Sequence, residues 1–133
     1  MKKGYKALVD EANAEIEAIS ARDAAELVGD DRTVIVDIRD PRELERDGKI
    51  PGALHAPRGM LEFWIDPESP YHKPVFASGK SFVFYCAGGL RSALATKTAQ
   101  DMGLTPVRHI EGGFSAWKED GLPVETVERK RPA

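Results

Sequence analysis

The chain has one cysteine in 133 residues, which rules out an intrachain disulfide, a Cys-x-x-Cys redox pair and a multi-cysteine zinc site. Its three histidines, His55, His72 and His109, lie far apart in the sequence and share no ligand-like spacing, so nothing supports a metal site. No apolar run approaches the ~20 residues a membrane-spanning helix needs. The opening Met1-Lys2-Lys3-Gly4-Tyr5-Lys6 lacks the apolar centre of a signal peptide, and a cytoplasmic location is expected. Charge of one sign is also short: 19 Lys and Arg against 22 Asp and Glu leave −3, which gives no general electrostatic reason to expect nucleic acid or a membrane as partner. No internal repeat is visible.

What remains is a composition that is 41% hydrophobic and 31% charged, that of one soluble globular domain with no room for a second. Tyr5, Leu8, Val9, Ala12 and Ile16 recur at helical spacing and predict an amphipathic helix packed on the domain. A short edge strand over residues 16–19 is expected next, then a short helix that starts at Ser20 with Asp23 and Glu26 and ends at Gly29. The runs Thr33-Val34-Ile35-Val36-Asp37-Ile38 and Ser81-Phe82-Val83-Phe84-Tyr85 read as strands buried on both faces, as in a parallel sheet. Leu94, Ala95, Thr98, Ala99 and Met102 keep helical spacing up to Gly103. A strand at 107–110 and a helix near 114–119 complete an alternation that predicts a three-layer α/β domain with a mostly parallel central sheet. Residues 66–80, with three prolines, read as a long surface loop.

The solitary thiol falls in the segment Cys86-Ala87-Gly88-Gly89-Leu90-Arg91-Ser92, between a buried strand and a helix. Ligands of open parallel sheets collect beyond the carboxyl ends of the strands, where this segment lies. Two glycines let the loop curl so that successive N–H groups converge. The helix start adds unpaired N–H groups and a positive dipole end, and Arg91 adds a full charge. All three favour a thiolate at Cys86, since helix N-termini and basic neighbours promote thiolate formation. A cysteine that merely packs would leave the Gly-Gly pair and the arginine without a reason.

With Val36-Asp37-Ile38-Arg39, Gly48-Lys49-Ile50-Pro51-Gly52-Ala53, the Cys86 to Ser92 loop, Ile110-Glu111-Gly112-Gly113-Phe114-Ser115-Ala116-Trp117 and Gly121-Leu122-Pro123-Val124, the chain resembles the rhodanese-like (thiosulfate sulfurtransferase) family, in its single-domain bacterial form. The resemblance divides the chain into an N-terminal helix at 1–14, a rhodanese-like domain at 15–125 and a charged tail at 126–133. It implies that the Cys86 thiolate takes the outer sulfur of a donor such as thiosulfate, releases sulfite and holds a persulfide until cyanide or a thiol removes it. No cofactor beyond that covalent persulfide is implied. The partners would be a small-molecule sulfur donor and acceptor, or a sulfur-relay protein.

Carried onto this sequence, the resemblance makes Cys86 the catalytic residue. The amides of Ala87, Gly88, Gly89, Leu90 and Arg91 would hold the terminal sulfur, with the Arg91 charge stabilising anionic donor and intermediate. Arg58 is a candidate second cation for the donor or a solvated arginine. Asp37, Arg39 and Ser92 are supporting candidates, Asp37 either anchoring the loop or forming a structural ion pair with Arg39, Arg42 or another basic residue, and Glu43 is open to the same two readings. His109 reads as packed or hydrogen-bonded at its strand end, and Trp117 as core. The alternatives are a protein-to-protein persulfide relay, a cysteine phosphatase and a non-catalytic interaction domain. Related phosphatases place five residues between cysteine and arginine, and this loop has four.

Overall fold

In a computed structural model, residues 1–128 are described, so residues 129–133 of the expected tail lie outside the described residues. Five parallel strands form one sheet: β1 (Glu17–Ile19), β2 (Thr33–Asp37), β3 (Leu54–His55), β4 (Ser81–Tyr85) and β5 (Val107–Ile110), in the order β1-β5-β4-β2-β3. The helices are α1 (Tyr5–Glu15), α2 (Ala21–Ala25), α3 (Pro41–Asp47), α4 (Leu61–Ile65), α5 (Leu90–Asp101) and α6 (Gly113–Glu119). This is the α/β architecture that the alternating pattern predicts.

The central strands β2 and β4 lie side by side in register from Thr33 opposite Ser81 to Asp37 opposite Tyr85. Alternating side chains feed two separate cores. Val36, Phe82, Phe84 and Val107 face α4 and α5, meeting Leu61, Ile65, Ala95 and Ala99. Ile35, Val83, Tyr85 and Ile110 face α2 and α6, meeting Ala24, Phe114 and Trp117. Burial on both faces explains why these strands are unbroken apolar runs rather than alternating ones. Trp117 is buried as expected, and its Nε1–H donates to the Pro123 carbonyl at 2.8 Å.

The N-terminal helix packs on the outside of α5, where Val9, Ala12 and Ile16 meet Ala93 and Leu94. Tyr5 and Leu8, expected on that buried stripe, are exposed, and the residues that α1 buries are Val9 and Ala12. Within the stretch expected to be wholly loop, Pro74–Ala77 forms a 3₁₀ turn. That turn buries Phe76 against Phe82, with ring centroids 5.4 Å apart. At the far end Lys49 and Glu125 form an antiparallel bridge, which ties the last described segment to the loop after α3.

Candidate active site

All five strands end on one edge of the sheet, and Cys86 follows β4 at the centre of that edge. Its chain turns sharply there because Gly89 adopts φ +100° and opens α5. The turn points two N–H groups at the sulfur: Gly89 N donates to Sγ at 3.1 Å and Ser92 N at 3.4 Å. Donation from such groups stabilises negative charge on sulfur. Among the described residues, the N–H groups of Ala87, Gly88, Leu90 and Arg91 meet no acceptor. The loop thus carries four further backbone donors that are not engaged, beside the two that reach the sulfur.

The loop is also held from behind. Phe114 N donates to the Cys86 carbonyl at 2.8 Å and Ser115 N to the Ala87 carbonyl at 2.9 Å, so the first turn of α6 fixes the loop's own oxygens away from the sulfur. This close approach is possible only with glycine at 113: its φ is +58°, and a Cβ there would sit 2.5 Å from the Cys86 carbonyl oxygen.

Cys86 lies at the carboxyl end of the sheet where the sequence places it, yet is only 1% exposed. It belongs to the core cluster that also holds Val36, Ile38 and Phe84. The amides aim at Sγ as expected, but the side chain lies on the floor of the loop.

Arg91 is not a loose cation. Its two terminal nitrogens donate to the two carboxylate oxygens of Glu43 in α3, each at 2.8 Å. The Arg91 bonds are the main reason the Glu43 carboxyl is pulled down to about 2, and Glu43 in turn raises the Arg91 pKa, with a smaller contribution from the charge of Cys86. The Arg91 side chain is 42% exposed, so the pair sits at the rim of the site.

Asp37 and Arg39 form a buried ion pair at 2.7 Å with side-chain exposures of 0% and 1%. Of the two roles open to Asp37, the structural pair is the one present. Tyr85 donates to the same carboxylate at 2.6 Å and accepts from Ile50 N at 3.1 Å. Arg39 donates to the Gly48 carbonyl at 2.7 Å and lies 4.4 Å from the centre of the Phe114 ring. Burial, with the Asp37 charge beside it, pushes the Tyr85 hydroxyl pKa far up, so the hydroxyl stays protonated and donates. This network reaches the sulfur loop only indirectly, through Tyr85 just before Cys86 and Phe114 just behind it.

Arg58 lies in the turn after β3, and its guanidinium bonds Glu62 one helical turn on at 2.7 Å. His55 Nε2 sits 2.7 Å from the Arg39 carbonyl and His72 Nδ1 3.0 Å from that of Trp64, which accounts for both rings. The third histidine is different. Cys86 Sγ contacts Ser92 Oγ at 3.5 Å, and that hydroxyl lies 2.8 Å from His109 Nδ1. Sequence reasoning brings Ser92 to the sulfur but not His109 to Ser92, because that contact depends on the register that sets His109 opposite Phe84. Glu43, open from sequence to the roles of loop anchor or structural ion-pair partner, pairs with Arg91, and Gly113 has no place in the site from sequence alone. A glycine pair just before a helix was the one signal available for Gly113.

Parallel strands, a sulfur that accepts from two main-chain amides and a helix opening just behind it make a site suited to stabilising an anionic sulfur. Residues 20–120 match the Rhodanese-like domain family, and the chain belongs to that family. It is 30% identical over 107 residues to human thiosulfate:glutathione sulfurtransferase, an alignment covering 76% of this chain and 92% of that one. The polysulfide-sulfur transferase of Wolinella succinogenes, a homodimer, superposes with a TM-score of 0.69 at 32% identity over 94% of this chain and 88% of its own. A Rhodopseudomonas palustris protein superposes with a TM-score of 0.91 at 65% identity over 94% of this chain and 96% of its own; it is described as of unknown function and "Possible Tyrosine Phosphatase". The chain spans 56% of one further curated relative and 66% of another. Family and relatives together support a sulfurtransferase-type function, and the single Cys86 fits a persulfide mechanism.

Proposed function

We propose that this chain is a sulfurtransferase that takes a sulfane sulfur from thiosulfate or a similar anionic donor onto Cys86 and passes it to cyanide or a thiol. The observation that carries the reading is the loop's set of amides: two donate to Sγ and four more have no acceptor among the described residues. The Cys86 thiolate attacks the outer sulfur of the donor; a bond forms between the two sulfurs, the bond to the sulfonate sulfur breaks, and sulfite leaves with the electron pair. The outer persulfide sulfur then carries the negative charge, and the unengaged amides are the groups that stabilise it. An acceptor thiolate or cyanide attacks that sulfur and returns Cys86 as thiolate. Sulfite is a stable anion, so the first step calls for no general acid.

The burial of Cys86 favours a slim donor ending in sulfur, as thiosulfate and polysulfides do, over a disulfide flanked by bulk. A protein donor or acceptor would share the same intermediate. A working free thiolate also suits a reducing compartment such as the cytoplasm.

The test is to incubate the chain with thiosulfate, record intact mass, then add cyanide and measure thiocyanate, with Cys86→Ser as control. A gain of one sulfur that cyanide removes and the variant never shows supports the reading; no gain overturns it. Rapid turnover indicates an enzyme for small molecules, and persulfide with poor turnover indicates a relay between proteins. Cysteine phosphatase activity is the second reading, favoured by the description of the Rhodopseudomonas palustris structure. Four residues rather than five between Cys86 and Arg91 make a cradle smaller than phosphate needs. Hydrolysis of an aryl phosphate by the wild type but not by Cys86→Ser would reverse that judgement.

A further inference from the structure

A thiol that is 1% exposed has little contact with bulk water, so its proton needs a route out through the protein. One continuous line of polar atoms leaves the sulfur. Cys86 Sγ, Ser92 Oγ and His109 Nδ1 are separated by 3.5 Å and 2.8 Å, and the Ser92 hydroxyl between them can accept from one neighbour while donating to the other. His109 also lines a cleft of about 450 Å³ between α1 and the sulfur loop, with Asn13, Gly88, Leu90 and Glu111 on its walls. Among the described residues nothing bonds to His109 Nε2, so one ring nitrogen faces Ser92 and the other is unengaged.

We propose that Ser92 and His109 form a proton relay that carries the Cys86 thiol proton to the cleft beside α1 by switching the tautomer of the His109 ring. With the thiol protonated, S–H donates to Ser92 Oγ, the Ser92 hydroxyl donates to Nδ1, and the ring carries its proton on Nε2. On ionisation the S–H bond breaks and that proton binds Ser92 Oγ. The former Ser92 proton binds Nδ1, and the Nε2 proton leaves to water in the cleft. The products are a thiolate that accepts from Ser92 and a ring that is again neutral, so no charge is stored on His109. The acceptor half-reaction can use the same line in reverse.

A neutral ring at both ends of the switch suits its surroundings. Facing it are Ser92 from α5, Ala18 from β1, Phe84 from β4, Asn13 from α1 and Glu111 just after β5, with Cys86 behind Ser92. Of these only Glu111 and Cys86 titrate. Burial lowers the His109 pKa and outweighs the opposite pull of Glu111, so the imidazolium is disfavoured.

The relay deepens the reading of Cys86 as sulfur carrier and rests on it. Its test, however, needs no sulfur transfer. The full chain, with heavy nitrogen in its histidine rings, is titrated from about pH 5 to about pH 10 while ring tautomers are read by long-range proton–nitrogen correlation and thiolate by ultraviolet absorbance. The proton on His109 should move from Nε2 to Nδ1 with the midpoint of Cys86 ionisation, and in Cys86→Ser it should remain on Nε2 throughout. A single tautomer across the ionisation of Cys86, or the same switch in Cys86→Ser, overturns the relay. His109→Asn places an amide where Nδ1 stands and keeps a bond to Ser92 but ends the line. It should lower kcat for persulfide discharge to a thiol by about tenfold with KM unchanged; an unchanged kcat also counts against the relay. A chain that takes no sulfur from thiosulfate yet switches tautomer would lose the proposed function and keep the relay.

Discussion

Gly113 sets how closely α6 can press on the sulfur loop. With φ +58° and carbonyl oxygens of Cys86 and Ala87 within 2.5 and 2.8 Å of where a Cβ would stand, any side chain meets both backbone strain and a clash that no rotamer relieves. Gly113→Ala should therefore cost about 2–4 kcal/mol in urea unfolding and, in the folded fraction, abolish the mass gain from thiosulfate. An unchanged denaturation midpoint would show that the loop yields more readily than this packing allows. Arg91 acts by charge rather than shape. Arg91→Ala leaves Glu43 without its bidentate partner and takes a cation from beside Cys86. At partial exposure that loss is about 1 kcal/mol, so iodoacetamide should react with Cys86 about fivefold more slowly near neutrality. Arg91→Lys restores charge without the two-pronged geometry and should recover only part of the rate.

Between elements, the buried Asp37–Arg39 pair and Tyr85 bind the ends of β2 and β4 to the loop after α3 and to α6. Asp37→Asn leaves the Arg39 guanidinium buried without a carboxylate, a change that costs about 3–5 kcal/mol. Tyr85→Phe removes one donor and one acceptor and should cost about 1–3 kcal/mol. Combining them should cost less than the sum, because both act on the same carboxylate; additive urea midpoints would mean that the two contacts are independent. The strands that this network joins were legible as continuous β-branched and aromatic runs, because burial on both faces leaves no polar positions. β3 escaped notice because two residues carry no periodicity. α3 lies in a charged stretch with only Leu44 buried, although Asp40-Pro41-Arg42-Glu43 spells a capping box that the structure confirms. The cysteine loop was readable because its chemistry is local. Its link to Glu43, 48 residues away, and that of Ser92 to His109, 17 away, arise from the order of strands, which no local pattern reports.

For the molecule as a whole, these partnerships predict how folding responds to acid. The His109 pKa is depressed by burial, so as pH falls below about 6.5 the unfolded chain takes up a proton before the folded one does, and stability declines until the folded ring also titrates. Glu43 enters later. Its folded carboxyl lies at about 2 against 4.5 unpaired, so its contribution is complete above about pH 4.5 and is lost as pH falls toward 2. Because Arg91 is 42% exposed, solvent screening reduces that contribution to about 1 kcal/mol. Urea unfolding followed from neutrality downward should thus show two successive losses. His109→Asn should remove the one nearer neutrality and Glu43→Gln the one at lower pH, each leaving the other in place. If Glu43→Gln instead lowered stability equally at every pH, the attraction of Arg91 would not depend on ionised Glu43, and the rim of the sulfur site would be held by packing rather than by charge.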